Sequence, residues 1–258
     1  MGVVAMISDF GLEDYYVGVM KAVMLSINEN LKFIDITHEI PPFGVIPAQF
    51  ILKISYKYFP PKTVFLTVVD PGVGSERRAM VLKTENYYFV GPDNGVFTYF
   101  MDEKAQAFEL PIPQNASRTF HGRDVFAPAA AKLASGVKPE DLGKPFDDPV
   151  KVEIPVPEPI GLEGEALKAM VLYIDRFGNL ITNVPAEMVM DKDIRVEING
   201  IEVSGLKSSY SEVDRKEPLA LIGSSNYLEI SVREGNAQEF FGAEMFTPVI
   251  VKFPKSLE

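Results

Sequence analysis

The chain has 258 residues, of which 47% are hydrophobic, and its 25 lysines and arginines against 36 aspartates and glutamates give a net charge of −11. This length suits one large domain or two modest ones, and an acidic chain without a basic run is unsuited to a phosphate backbone, so we predict no nucleic-acid partner. The chain has no cysteine, which excludes disulfides, thiolate nucleophiles and cysteine-based zinc sites.

Apolar runs are short throughout the chain. The N-terminal run Val3–Ile7 is too short for the core of a signal peptide, and no segment approaches the roughly 20 apolar residues of a membrane span. We therefore expect a soluble, cytoplasmic protein without a membrane partner.

The first part of the chain alternates predicted strands and helices. The predicted strands are Val3–Ile7, Lys32–Ile36 and Thr63–Val69. Apolar residues at helical spacing from Tyr16 to Ile27 predict one helix, and Ala48–Tyr58 a second. Such alternation predicts an N-terminal α/β domain with a largely parallel sheet.

The middle of the chain leads to a predicted domain boundary. Two strands are predicted at Ala79–Lys83 and Tyr87–Val90, and a helix at Asp124–Ala134. Alternating prolines then indicate an extended linker over residues 154–160. We therefore predict an N-terminal domain over residues 1–153 and a C-terminal domain over 161–258.

The C-terminal part lacks helical periodicity and contains short apolar or alternating runs separated by turns. These runs are Ala169–Ile174, Leu180–Thr182, Ile194–Ile198, Ile201–Val203, Leu219–Ile222, Leu228–Val232 and Val249–Val251. This pattern is typical of a small, all-β barrel or sandwich.

Common cofactor motifs are absent from the sequence. There is no Gly-x-Ser-x-Gly elbow, P-loop or complete Gly-x-Gly-x-x-Gly. His38 and His121 are the two histidines, too few for a histidine-rich metal site. We therefore predict an activity without a metal or cofactor.

Polar residues follow three of the predicted strands, where ligands bind in open α/β sheets. They are Ser8-Asp9, Thr37-His38-Glu39 and Asp70. Each alone could be an ordinary turn former or helix cap. The Asp70 loop is more informative, because Pro71 and two glycines restrict it and Arg77 follows, and an arginine nearby keeps a carboxylate ionised. His121, followed by Gly122, is the better candidate base of the two histidines.

Seven motifs in chain order together resemble the S-adenosylmethionine (SAM) hydroxide adenosyltransferases, adenosine-forming SAM hydrolases related to the fluorinase and chlorinase. The motifs are Ser8-Asp9-Phe10-Gly11, Asp35-Ile36-Thr37-His38, Val69-Asp70-Pro71-Gly72-Val73-Gly74, Gly91-Pro92-Asp93-Asn94-Gly95, Phe120-His121-Gly122-Arg123-Asp124, Asp175-Arg176-Phe177-Gly178-Asn179 and Ser224-Ser225-Asn226-Tyr227-Leu228. The resemblance extends over nearly the whole chain.

The resemblance implies hydrolysis of SAM by water at C5′ to adenosine and L-methionine, in a homotrimer. Each active site would lie between the N-domain of one subunit and the C-domain of the next. It also implies a catalytic triad of Asp70, Arg77 and His121. Asp70 and His121 would orient water and accept its proton, while Arg77 would anchor Asp70.

The resemblance implies substrate-binding residues in both domains. Asp9 would bind the ribose hydroxyls, and Phe43 would pack on the sulfonium or ribose, since an aromatic face attracts a cation. The C-terminal residues would be Phe177 and Asn179 at adenine, Asp175 and Ser224 at the methionine ammonium or carboxylate, and Ser225, Tyr227 and the Val232 backbone around the pocket. Alternatively, Phe177 and Tyr227 are core aromatics and Asp175 is a turn residue.

Three other functions stay open at this point. A halogenase of the same superfamily is disfavoured by Asp70 and His121, because the halogenases have a tyrosine in place of Asp70 and lack the His-Gly pair. A SAM- or adenosine-binding sensor would share the pocket without turnover. A metal-dependent phosphohydrolase would lose activity in EDTA.

Overall fold

The computed structural model describes residues 2–161 and 165–254. Within them the chain folds into two compact units, one ending at Glu153 and the other beginning at Ile154. The outer limits of the predicted domains, residues 1 and 258, lie outside the described residues.

The first unit is a seven-stranded sheet with helices on both faces. Its strands are β1 (Val3–Ser8), β2 (Lys32–Thr37), β3 (Val64–Val68), β4 (Ala79–Lys83), β5 (Tyr88–Pro92), β6 (Gln106–Leu110) and β7 (Lys144–Phe146). Its α-helices are α1 (Tyr16–Ile27), α2 (Val45–Ser55) and α3 (Ala127–Ala134), and a π-helical turn over Gly122–Phe126 leads into α3. Short 3-10 turns lie at Tyr56–Tyr58, Thr98–Phe100 and Pro139–Asp141.

The alternation of side chains along β1 explains why both faces of this sheet are covered. Val4 and Met6 face a core formed with α1 and α3, whereas Ala5 and Ile7 face a second core formed with α2. Successive residues of a strand point to opposite faces, so a continuous apolar run needs a helix layer on each side.

The sheet is half parallel and half antiparallel. The order is β2-β1-β3-β5-β4-β6-β7; pairs up to β5 are parallel, and those from β5 onward are antiparallel. The predicted mixed α/β fold is confirmed, but the sheet is less parallel than expected. The reason is that β4 and β5 are joined by a tight turn, which permits only antiparallel pairing.

The second unit is a nearly barrel-shaped nine-stranded sheet. Its strands are β8 (Glu158–Ile160), β9 (Ala166–Ile174), β10 (Leu180–Pro185), β11 (Arg195–Ile198), β12 (Ile201–Ser204), β13 (Leu206–Lys207), β14 (Pro218–Ile222), β15 (Tyr227–Val232) and β16 (Pro248–Lys252). Their order is β12-β11-β16-β9-β10-β15-β14-β13, with β8 beside β9. Contacts between β12 and β14 bring distant parts of this path together. A short helix, α4 (Ala237–Phe241), and 3-10 turns at Ala186–Met188 and Tyr210–Glu212 complete the unit.

Strand direction in the first unit determines where polar loops gather. β1, β3 and β5 run parallel, so the residues after them, beginning with Asp9, Val69 and Asp93, lie at one edge of the sheet. β4 runs the other way, which brings the residue before it, Arg78, to the same edge.

Candidate active site

A cleft of about 240 Å³ opens at this edge of the first unit. Asp9, Phe43, Asp70 and His121, all predicted site residues, line it together with apolar side chains such as Val68. The loops after β1 and β3 and the turn before α3 therefore contribute to one cavity.

Arg77 joins the other two residues of the predicted triad. Its Nε donates to Asp70 Oδ1 at 2.9 Å, and its Nη2 donates to Asp70 Oδ2 and lies 2.8 Å from His121 Nδ1. The side chains of Asp70 and Arg77 are 7% and 10% exposed, so the ion pair is largely removed from water. Arg77 Nη1 is also buried and has no hydrogen-bond partner among the described residues.

The contact with Arg77 determines the tautomer and protonation state of His121. A guanidinium can only donate hydrogen bonds, so Nδ1 must accept, and the neutral imidazole then carries its proton on Nε2. Burial lowers the pKa of His121 below its usual value, and the positive charge of Arg77 lowers it further. The ring is therefore a neutral donor through Nε2 at neutral pH.

The backbone holds the triad closely. Gly74 has φ +76°, and a Cβ there would lie 2.4 Å from the Arg118 carbonyl oxygen, so only glycine fits. His121 precedes the π-helical turn Gly122–Phe126. Such turns are rare and often occur at functional sites.

Asp9 lies beside a strained residue at the rim of the cleft. Its Oδ2 accepts from the Phe43 amide at 2.8 Å, and Phe43 has φ +66° and is 70% exposed. Burial raises the pKa of Asp9. A bulky residue in the left-handed region is costly and is often found at functional sites. His38, the other histidine, is buried, with Nδ1 2.7 Å from Ser8 Oγ.

The remaining predicted residues lie in two turns of the second unit. In the turn between β9 and β10, Asp175 accepts from the amides of Phe177 and Asn179, both at 2.9 Å, and from Asn179 Nδ2 at 2.9 Å. Asp175 thus holds its own turn, as the turn-residue alternative requires, and its contact with substrate stays a prediction. Phe177 is 74% exposed and is not a core aromatic, whereas Asn179 is 9% exposed.

The turn between β14 and β15 contains the two predicted serines. Ser224 is exposed, and Ser225 Oγ is buried without a hydrogen-bond partner among the described residues. Tyr227 and Val232 are buried in β15. Leu180 of β10 pairs with Ile230 and Pro185 with Tyr227, so the Asp175 and Ser224 turns lie at opposite ends of β15.

Glu229, which none of the sequence motifs includes, is a buried carboxylate between these two turns. It is 6% exposed, and its Oε1 accepts from Tyr210 Oη at 2.6 Å and from Ser231 Oγ at 2.8 Å. Burial, and then the bond to Glu229, raise the pKa of Tyr210, which keeps this hydroxyl a donor. A single glutamate inside the apolar strand Tyr227–Val232 was the signal that could have identified it.

Two further features are absent from the described part of the chain. No group of three or more histidines, aspartates or glutamates in residues 2–161 and 165–254 is arranged to hold a metal ion. Over the same ranges, no helix is both long and apolar enough to cross a membrane.

Family models match both units. The model of the SAM hydroxide adenosyltransferase N-terminal domain matches residues 4–143, and that of the C-terminal domain matches residues 169–250. The two matches together cover most of the chain.

Individual proteins match over nearly their full length. A protein of Thermus thermophilus named (R)-S-adenosyl-L-methionine hydrolase is 39% identical, with 94% of this chain and 96% of the relative covered. A fluorinase of an Actinoplanes species is 26% identical, with coverage of 89% and 90%. The crystal structure of an uncharacterised conserved protein from Thermotoga maritima has a TM-score of 0.89 at 36% identity, covering 96% of this chain and 99% of that one.

Proposed function

The chain belongs to the SAM hydroxide adenosyltransferase family, and on that premise we propose that it hydrolyses SAM to adenosine and L-methionine. The observation that supports this most directly is the Asp70–Arg77–His121 cluster in a cleft that also contains Asp9. The relative from Thermus is named for the (R) form of SAM, and we propose the same form as the substrate here.

The reaction needs little from the enzyme at the leaving group. The oxygen of water forms a bond to C5′ while the C5′–S bond breaks. The electron pair of the C5′–S bond stays on sulfur, which converts the sulfonium into the neutral thioether of methionine. The leaving group therefore needs no proton, and the enzyme gains rate by holding water in line with C5′.

We assign complementary roles to the two groups that Arg77 bonds. His121 is neutral with its proton on Nε2, so it donates a hydrogen bond to the water oxygen. Asp70 accepts the departing proton. As the C5′–O bond forms, the attacking oxygen becomes strongly acidic, so a carboxylate is a sufficient base even when it is paired with Arg77.

The binding roles follow the chemistry of each group. Asp9 accepts hydrogen bonds from the ribose hydroxyls. Glu229 has both of its side-chain hydrogen bonds on Oε1, which suits Oε2 to the methionine ammonium. Asn179 uses Nδ2 within its turn, so its Oδ1 suits the adenine amino group, with Phe177 against the ring. Asp175 holds that turn and contacts the substrate next to it. The pocket is completed by Ser224, Ser225, Tyr227 and the Val232 backbone.

We propose a homotrimer in which the first unit of one subunit and the second unit of the next form each site. The cleft of about 240 Å³ is smaller than the roughly 300–1,000 Å³ of ligand pockets, so it suits part of SAM. Phe43 and Phe177 are both highly exposed aromatics, as expected of residues that a partner subunit covers on association. We also expect no cofactor, no metal requirement and a cytoplasmic location.

Purified protein incubated separately with the (R) and (S) forms of SAM tests this proposal. We expect many equivalents of adenosine and methionine per enzyme, a higher kcat/KM for the (R) form, and no loss of rate in EDTA. The His121→Ala variant is the control for contaminating activity. Binding without release would indicate a sensor, a 5′-halogenated nucleoside in chloride or fluoride a halogenase, and EDTA sensitivity a metal-dependent enzyme.

A further inference from the structure

The loop that carries Asp70 and Arg77 needs support at both ends. It begins at Val69, directly after β3, and ends at Arg78, directly before β4, and it contains two glycines, Gly72 and Gly74. Glycines leave a backbone conformationally free. The hydrogen bonds that join Asp70, Arg77 and His121 therefore depend on what holds the two ends.

One turn contacts both ends. Asn94 Nδ2 donates to the carbonyl oxygen of Val69 at 2.9 Å, directly before Asp70. Arg78 Nε donates to Asp93 Oδ2 at 2.9 Å, and the Asp93 amide donates to the Arg78 carbonyl oxygen at 2.9 Å, directly after Arg77. We propose that Asp93 and Asn94 are positioning residues that clamp the two ends of the catalytic loop and so hold Asp70 and Arg77 against His121.

The clamp is itself firmly built. The Asp93 side chain is 1% exposed, and its Oδ1 accepts from the Val150 amide at 2.8 Å. Asn94 Oδ1 accepts from the Val96 amide at 3.2 Å. Asp93 and Asn94 therefore each have one polar atom hydrogen-bonded to an end of the catalytic loop and another hydrogen-bonded outside that loop. Leaving a buried carboxylate without its hydrogen-bond partners is costly, which makes this turn a rigid support.

The chain offers a matched control for the Asn94 contact. Gln49 is 1% exposed, and its Nε2 donates to the carbonyl oxygens of Gly95 at 3.0 Å and Val152 at 2.8 Å. It thus binds the same turn through a side-chain amide but bonds to neither end of the catalytic loop. Gln49→Ala and Asn94→Ala both remove an amide, and they differ in whether Val69 loses its partner.

The inference rests on the proposed hydrolysis only for its kinetic readout. For Asn94→Ala we expect kcat to fall by about 10- to 100-fold, since a misplacement of about 1 Å can cost about 100-fold, with the adenosine Kd within about twofold of wild type. Asn94→Asp, which keeps the acceptor for Val96 and loses the donor to Val69, should lose kcat as well. Gln49→Ala should lower the melting temperature and leave kcat per folded enzyme within about twofold.

Histidine titration by NMR supplies a readout that needs no turnover. The chain has two histidines, so His121→Ala assigns both signals. In Asn94→Ala, Arg77 should move away from His121 and the pKa of His121 should rise toward its usual value; in Gln49→Ala it should stay as in wild type. An unchanged His121 pKa in Asn94→Ala, or a kcat loss no larger than that of Gln49→Ala, would overturn the clamp. Absence of SAM turnover in wild type would overturn the proposed function alone, since the titration still decides the clamp.

Discussion

Arg77 is the residue on which the proposed chemistry of the cleft depends. It neutralises Asp70 and, through the same Nη2 atom, fixes the tautomer of His121. If His121 gained a proton on Nδ1, the hydrogen bond from Arg77 would be lost and two positive charges would lie side by side. The arrangement therefore favours the neutral imidazole. This is the physical reason that a histidine next to an arginine can act as a donor at neutral pH.

The pH dependence of kcat follows from that arrangement. Because the pKa of His121 is lowered, the acid limb of kcat should lie below about 6.5, the usual histidine value. Between the folded pKa and about 6.5 the unfolded chain binds more protons, so this group also makes stability fall as pH decreases through that window. A pH–kcat profile at saturating SAM, with His121→Gln as control, measures the limb. An acid limb at or above 6.5 that disappears in His121→Gln would contradict the assigned state.

Asp9 should affect binding more than chemistry. Its proposed partners are ribose hydroxyls, which are held alike in the ground and transition states, and losing such uniform binding raises KM with little change in kcat. We expect this pattern for Asp9→Ala. Asp9→Asn, which can still accept from the Phe43 amide, should raise KM less. Steady-state kinetics of both variants decide the matter, and a normal KM in Asp9→Ala would show the assignment to be wrong.

At the scale of elements, regular periodicity was predictable and short strands were not. The apolar spacing from Tyr16 to Ile27 predicted a helix, and the structure has α1 over Tyr16–Ile27, with Glu13 and Asp14 before its first turn rather than in it. The strands β6 and β7 were missed, because Gln106–Leu110 does not alternate cleanly and Lys144–Phe146 is three residues with a central proline. Part of the predicted linker, Glu158–Ile160, forms β8 because it pairs with β9.

The site was predictable only as a set of loops. Strand-end polarity identified Asp9 and Asp70, but the contact between Arg77 and His121, which are 44 residues apart, depends on tertiary structure. The role of Asp175 as the acceptor within its own turn also requires coordinates, since sequence alone allows either a ligand contact or a turn.

The turn between β9 and β10 should be sensitive to a single added methyl group. Gly178 has φ +80°, and a Cβ there would lie 2.1 Å from Asn236 Oδ1, whose side chain caps α4. We expect Gly178→Ala to cost about 1–3 kcal/mol of stability and to weaken adenosine binding, because Phe177 and Asn179 move with the turn. Gly200→Ala, also at φ +80° but with open space around the added atom, is the control. Equal melting temperatures and adenosine Kd values for the two variants would contradict this account.

At the scale of the whole molecule, the proposed residues divide between two units with separate cores. Sequence patterns assign residues to units, but they contain no physical signal for how copies of the chain assemble. The proposed trimer therefore depends on the family resemblance, the small cleft and the exposed aromatics rather than on periodicity or composition.

Mixing two inactive variants tests the assembly. His121→Ala affects the first unit and Asn179→Ala the second, so a mixed trimer contains some sites built from two intact units. After joint denaturation and refolding we expect partial recovery of SAM hydrolysis, and light scattering of wild type should give the mass of three chains. A fully active monomer, or no recovery although both variants refold and assemble, would contradict shared sites.

The proposed reaction is the attack of water on C5′ of SAM. The most direct measurement is multiple-turnover reaction of (R)-SAM in ¹⁸O-labelled water, with the products fragmented by mass spectrometry. We expect adenosine with one ¹⁸O on its 5′-oxygen and unlabelled methionine, formed by wild type and not by His121→Ala. Label in methionine, unlabelled adenosine, or a 5′-halogenated product would contradict it.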